Sequence, residues 1–184
     1  MQPKSLLPTL EQLYGGDIIS KQDANSINYL LNQPPMPEWV KQHPLAKSVR
    51  YLPIERVEYL LTRLFTEWRV EIKSVNTIAN SVVVLIRLHY RNIHNDEWSW
   101  QDGVGACPIQ TDSGAGAMDW NKAKSDGVMK AAPAAESYAI KDAAEKLGKI
   151  FGKDLNRKDE VGYENLLKSA VNKVDIDKIF NGNE

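Results

Sequence analysis

"SVVVLIRLHYR", residues 81–91, decides the fold. Val82, Val84, Ile86, Leu88 and Tyr90 fall on alternate positions and are all apolar, while Val83, Leu85, Arg87, His89 and Arg91 turn basic toward the end. Side chains alternate across a strand, so this pattern predicts a strand with one face to bury and one that meets water. Upstream, "WRVEIKSV" (68–75) sets Trp68, Val70 and Ile72 against Arg69, Glu71 and Lys73, with a short polar turn between the two runs. Downstream, "NIHND" (92–96) makes a second turn, and "EWSWQDGVGA" (97–106) sets Trp98, Trp100 and Val104 against Ser99, Gln101 and Gly103. Turns this short join antiparallel neighbours, so the three runs predict a three-stranded meander with one face in need of a cover.

The cover comes from the C-terminal side. A helix is expected to begin near Pro133, since proline is tolerated in a first turn. Ala135, Ala139, Ile140, Ala143, Ala144, Leu147 and Phe151 form its apolar stripe, and so many alanines allow close approach to the sheet. Residues 107–127, rich in Gly, Ser and Asp, show no period and read as a long loop, a length that in a compact domain is usually functional or disordered. Ahead of the meander, Ile54, Val57, Leu60, Leu61, Leu64 and Phe65 share one helical face, with Arg56 and Arg63 off it. Leu6, Leu7, Leu10 and Leu13 recur at helical spacing, and Ser20 can cap a turn continuing to Leu31. Between these pieces "QPPMPEWVKQHP" (33–44) breaks regular structure and reads as an arm or linker. The fold class is therefore α+β: a β-β-β-α core with helices N-terminal to it. The divisions expected are an N-terminal helical arm and linker (1–48), the core (49–158) and a short helical tail (159–184).

A chain of 184 residues with 42% hydrophobic and 26% charged residues can bury one sizeable core. No apolar run approaches the roughly eighteen residues of a membrane helix, and the start lacks a secretory pattern, so a cytoplasmic protein with no membrane contact is expected. Cys107 is the lone cysteine and fits a reducing compartment. Net charge is −1, so attraction to an anionic partner must come from segregated charge. Segregation is present: residues 141–158 carry six Lys or Arg against three acids, and residues 159–184 carry three Lys against six acids. If the helix persisted far enough, Lys146, Lys149 and Lys153 would form a basic ridge beside the alanine stripe. The competing reading is a solvated face with Lys141/Glu145 and Asp142/Lys146 as i,i+4 pairs. Gly148 and Gly152 call for a packing or turning reason.

Enzyme readings find little support. His89 and His94 flank a turn near Asp96, but their spacing matches no metal-ligand pattern, so no metal is expected. "DSGAGAMD" (112–119) lacks the Gly-Lys-Ser/Thr ending with which a P-loop holds phosphate, and Cys107 has no identifiable base. No cofactor and no catalytic residue are expected.

The order of parts is specific in combination. A helix bearing "ERV" (55–57), a meander ending in "DGVGA" (102–106), a loop with lysines and "ESYAIKDAAEKLGKIFGKDL" (136–155) together resemble the Rad-fifty-two family of single-strand annealing proteins, from about Val49 to Arg157. The resemblance implies an oligomeric ring holding single-stranded DNA by its phosphates, bases outward, without ATP, so that complementary strands can pair during recombination and repair. Arg56, Lys146 and Lys149 match the basic positions that line the family's groove. Lys141 and Lys153 extend that candidate set, Arg87 with Arg69, Lys73 and Arg91 could continue the track on the sheet, and Lys124, Lys130 and Lys122 border a candidate outer site. Two departures stand out: Glu145-Lys146 where many relatives have two adjacent basic residues, and Asn156 in place of a second glycine after Phe151-Gly152. The short chain implies a compact phage or bacterial version, with a single-strand binding protein or an exonuclease as possible partners. The five tryptophans, Trp39, Trp68, Trp98, Trp100 and Trp120, could stack on bases, although Trp68, Trp98 and Trp100 read better as core or subunit interface. The alternative function is an oligomeric protein-interaction scaffold that does not bind nucleic acid.

Overall fold

A computed structural model of the chain describes residues 24–43, 46–92, 95–116 and 118–157. The helical pieces expected before residue 20, Pro44, His94 and the tail 159–184 lie outside the described residues. In chain order the elements are α1 (Ala24–Leu31), the two-residue strands β1 (Lys41–Gln42) and β2 (Arg50–Tyr51), and α2 (Ile54–Leu64). The three long strands β3 (Trp68–Ile78), β4 (Ser81–Arg91) and β5 (Trp98–Pro108) follow, and then α3 (Gly127–Glu145). β3, β4 and β5 form one antiparallel sheet in that order, and β1 pairs with β2 as a separate ribbon. The meander is as the alternation predicts, and α3 lies over β4 and β5.

The alternation of β4 places the core. Val82, Val84, Ile86 and Leu88 are all buried, and they meet α2 and α3. On α3, Ala131, Ala135, Ala139 and Ala143 recur every four residues and are buried too. They press on Gly103 and Gly105 of β5: an added methyl at Gly103 would overlap the Ala139 carbonyl oxygen and stand 2.8 Å from Ala143 Cβ. Backbone here packs on backbone. Each fully buried leucine, isoleucine or phenylalanine in this core contributes about 1.5–3 kcal/mol of transfer free energy. Leu30 of α1 and Trp39 belong to the same core, ahead of residue 49.

Three expectations are corrected. First, α3 begins at Gly127, so Pro133 lies inside it. The Lys130 amide bonds the Asp126 carbonyl, and Gly127 fits so tightly under Ile109 that a methyl would stand 2.8 Å from its Cγ2. Pro133 removes one helical donor, but it sits on the exposed side, where water can satisfy the freed carbonyl. The expected loop is correspondingly shorter, and it carries a 3-10 turn at Trp120–Lys122 and a bridge between Thr111 and Ala123.

Second, α3 ends at Glu145, so no continuous helix carries Lys146, Lys149 and Lys153 as one ridge. Gly148 is extended, a 3-10 turn follows at Lys149–Phe151, and Gly152 has φ +97, a left-handed value that glycine adopts without strain. The packing reason for Gly148 is α1: a side chain there would overlap the Leu31 carbonyl oxygen. Ile150 and Phe151 then turn back into the core.

Third, Trp98 and Trp100 are not core. They stand 43% and 52% exposed on the side of the sheet away from α3, because the glycine side of β5 is the one that faces the helix. β3 differs in another way. Beyond Val70 its core-side residues are uncovered, and Ile72 and Val75 are 53% and 56% exposed; Ile78, paired with Ser81, is exposed on the opposite face.

Candidate nucleic-acid interface

The start of α2 and the end of α3 meet the β1–β2 ribbon around one cleft of about 700 Å³. Arg50 and Tyr51 of β2, Glu55 of α2, and Tyr138, Lys141, Asp142 and Glu145 of α3 line it. The ribbon is held in place by Asn156. Its side-chain oxygen accepts the Arg50 N–H at 2.7 Å and its amide donates to the Arg50 carbonyl at 2.8 Å, pairing with β2 as a neighbouring strand would. The Arg50 guanidinium adds a bond to the Leu155 carbonyl at 2.7 Å. Asn156, itself part of the cleft lining, thus fastens the ribbon beside the cleft.

Lys141 projects into this cleft from α3. Its ammonium stands 4.6 Å from the centre of the Tyr138 ring and 5.1 Å from that of Tyr51. Burial lowers its pKa, and the nearby Glu145 and Glu55 carboxylates act against that shift. Burial and the Asp142 charge raise the pKa of Glu145. One turn further on, Lys146 Nζ donates to Asp142 Oδ2 at 2.9 Å and to the Asp102 carbonyl at 2.6 Å. The same Asp142 oxygen accepts the Val104 N–H at 3.0 Å, so the end of α3 is tied to the outer rim of β5.

The remaining candidates divide into three groups. Arg56, in the first turn of α2, lies over Trp39 with 5.2 Å from guanidinium to ring centre, and Trp39 is itself buried edge-on against Tyr59. Lys149 is 3.6 Å from Asp154, whose other oxygen is 3.2 Å from Arg157 Nε, and Lys153 is exposed. Lys130 pairs with Asp126 at 2.6 Å, and Lys124, also exposed, precedes the helix. Arg87 lies on the far side of the sheet. It holds Asp102 by two bonds of 2.7 and 3.0 Å and packs 3.8 Å from the Trp100 ring centre.

Arg87 belongs to a charge-compensated surface. In register across β3, β4 and β5 stand Arg69, His89 and Trp100, then Glu71, Arg87 and Asp102. Glu71 Oε2 meets His89 Nε2 at 3.0 Å, Lys73 meets Glu71 at 3.0 Å, and Arg69 covers Trp98 at 4.8 Å. The Arg87 guanidinium holds the Asp102 carboxyl below its usual range, and hydrogen bonding from His89 and Lys73 does the same for Glu71. Lys73, Arg87 and His89 are thus paired with carboxylates on this face, while Arg69 is held over an aromatic ring. Lys141 lines the cleft and Lys146, bonded to the cleft-lining Asp142, follows it at the end of α3, while Lys124 with Lys130 and Arg87 lie elsewhere.

Residue reading missed Tyr51, Tyr138 and Arg50. Tyr138 stands three positions before Lys141, one helical turn away, and that spacing was a usable signal. Tyr51 sits in a two-residue strand that no periodicity reveals.

A family model described as "Rad52/22 family double-strand break repair protein" matches residues 23–172. The chain belongs to this family. A search of curated proteins finds no match. No helix among the described residues is long and apolar enough to cross a membrane.

Proposed function

We propose that the protein binds single-stranded DNA by its sugar-phosphate chain and anneals complementary strands without ATP, in recombinational repair. The observation that carries this reading is the end of α3, where the half-exposed Lys146 follows the cleft-lining Lys141 beside the helix that bears Arg56, in a chain of this family. The ion pair already present does not block a phosphate. Lys146 and Asp142 are both nearly half exposed, and an exposed pair contributes about 0–1 kcal/mol, so a phosphate can replace the carboxylate at little cost. Each phosphate neutralised on a single strand releases counterions, with a salt slope of about −0.7 per contact. Recognition of this kind ignores sequence, as annealing requires.

Assembly into a ring or helical array is part of the proposal, with a single-strand binding protein or an exonuclease delivering the strands. The bare Ile72 and Val75 on the uncovered part of β3 and the tryptophan–arginine face of the sheet support it, because aromatic and arginine side chains dominate protein–protein contacts. Those surfaces also favour the second reading, a scaffold that assembles without DNA. Titration of single-strand binding against salt separates the two. Arg56→Ala and Lys149→Ala are each expected to weaken binding by about tenfold, within the range for one charged contact, while leaving assembly intact. Unchanged affinity in both variants would remove the groove assignment.

A further inference from the structure

The cleft carries more than a rim of cations. Its charged lining is balanced, with Lys41, Arg50 and Lys141 against Glu55, Asp142 and Glu145, so its interior offers no net attraction to a phosphate. What it offers is aromatic surface. Tyr51 and Tyr138 come from different elements, and both turn ring faces toward the Lys141 ammonium, at 5.1 and 4.6 Å. Tyr138 is 41% exposed, so its ring is reachable from solvent. The volume, about 700 Å³, falls within the range of sites that enclose a small flat molecule. Ring faces that hold a cation also stack on a planar base, and stacking is indifferent to sequence because every base has a π-face.

We propose that the cleft takes one nucleobase of the bound strand, which displaces the Lys141 ammonium from the Tyr138 and Tyr51 ring faces, stacks on them in its place and accepts a hydrogen bond from that ammonium at its edge. All four bases present a ring nitrogen or carbonyl acceptor, so Lys141 need not discriminate among them. The carboxylates of Asp142 and Glu145 keep the phosphates outside, on Lys146 and the basic rim, while admitting an uncharged base. One base per protomer is then anchored, and the rest stay available for pairing.

This inference rests on the single-strand reading above, and the experiment separates the two. Binding of oligothymidylate is compared with binding of an abasic deoxyribose-phosphate strand of equal length. Tyr138→Ala is expected to weaken oligothymidylate binding by at least about fivefold, the low end for one stacked base, and to leave the abasic strand unaffected. Tyr138→Phe, which keeps the ring, should bind as the wild type does, and Lys149→Ala should lose affinity for both strands. Equal loss on both strands for Tyr138→Ala, or no loss on oligothymidylate, overturns the base site while sparing phosphate binding. If the wild type holds neither strand, the DNA reading falls and the base site with it.

Discussion

Glu145 occupies a position where a cation was to be expected, and burial holds its carboxyl above the ordinary value of 4.5. Its charged form is therefore less favoured in the folded chain than in the unfolded one. Stability is lost as pH rises through the raised pKa and regained as pH falls below it. Glu145→Gln should raise the melting temperature at pH 7, and the gain should close as pH drops below 4.5; an equal gain at both ends would show that charge is not the cause. Lys141 meets the same burial with the opposite sign, since its ammonium is the form penalised. The cleft thus holds a carboxyl and an ammonium that both press toward neutrality. Asn156 shows what sequence alone leaves unseen in a single side chain: it stands where a second glycine was looked for, and its amide pairs with β2.

At the level of elements, the spacing between helix and sheet is set by backbone. Gly103→Ala would force α3 away from β5, and overpacking of this kind costs about 3 kcal/mol. Urea unfolding should show that loss, and because Asp142 and Lys146 ride on the same helix, the ties to Val104 and Asp102 should loosen with it. How far these elements could be read from sequence depends on where their causes lie. The period of two in β4 is a local property, and Val82, Val84, Ile86 and Leu88 are buried as that period requires. The limits of α3 are tertiary. Its start depends on Gly127 nesting under Ile109 and its end on Gly148 meeting Leu31, over a hundred residues away in sequence. The core reading of Trp98 and Trp100 fails for a related reason: hydrophobicity marks a face worth covering, but the glycine side of β5 is the one a helix of alanines can reach. The opposition of Tyr51 and Tyr138 across Lys141 arises only once the β1–β2 ribbon folds over α3.

For the whole molecule, α3 shelters two strands of three. The strip left bare on β3 is the expected contact between copies, and it is separate from the cleft. Replacing Ile72 and Val75 by lysine should change the stability of a single copy little, since both side chains are already more than half exposed. Sedimentation should show a fall in assembly size; full-sized assemblies in that double variant would move the contact elsewhere, with the sheet's tryptophan face next in line. The two margins of the sheet are also unequal. At β5 the Val104 N–H and the Asp102 carbonyl are taken by Asp142 and Lys146, so no incoming strand can add there in register. A polymer that spread by endless strand addition would need both margins vacant. This fold has one blunted side, which guards against runaway fibril growth while leaving self-limiting association open.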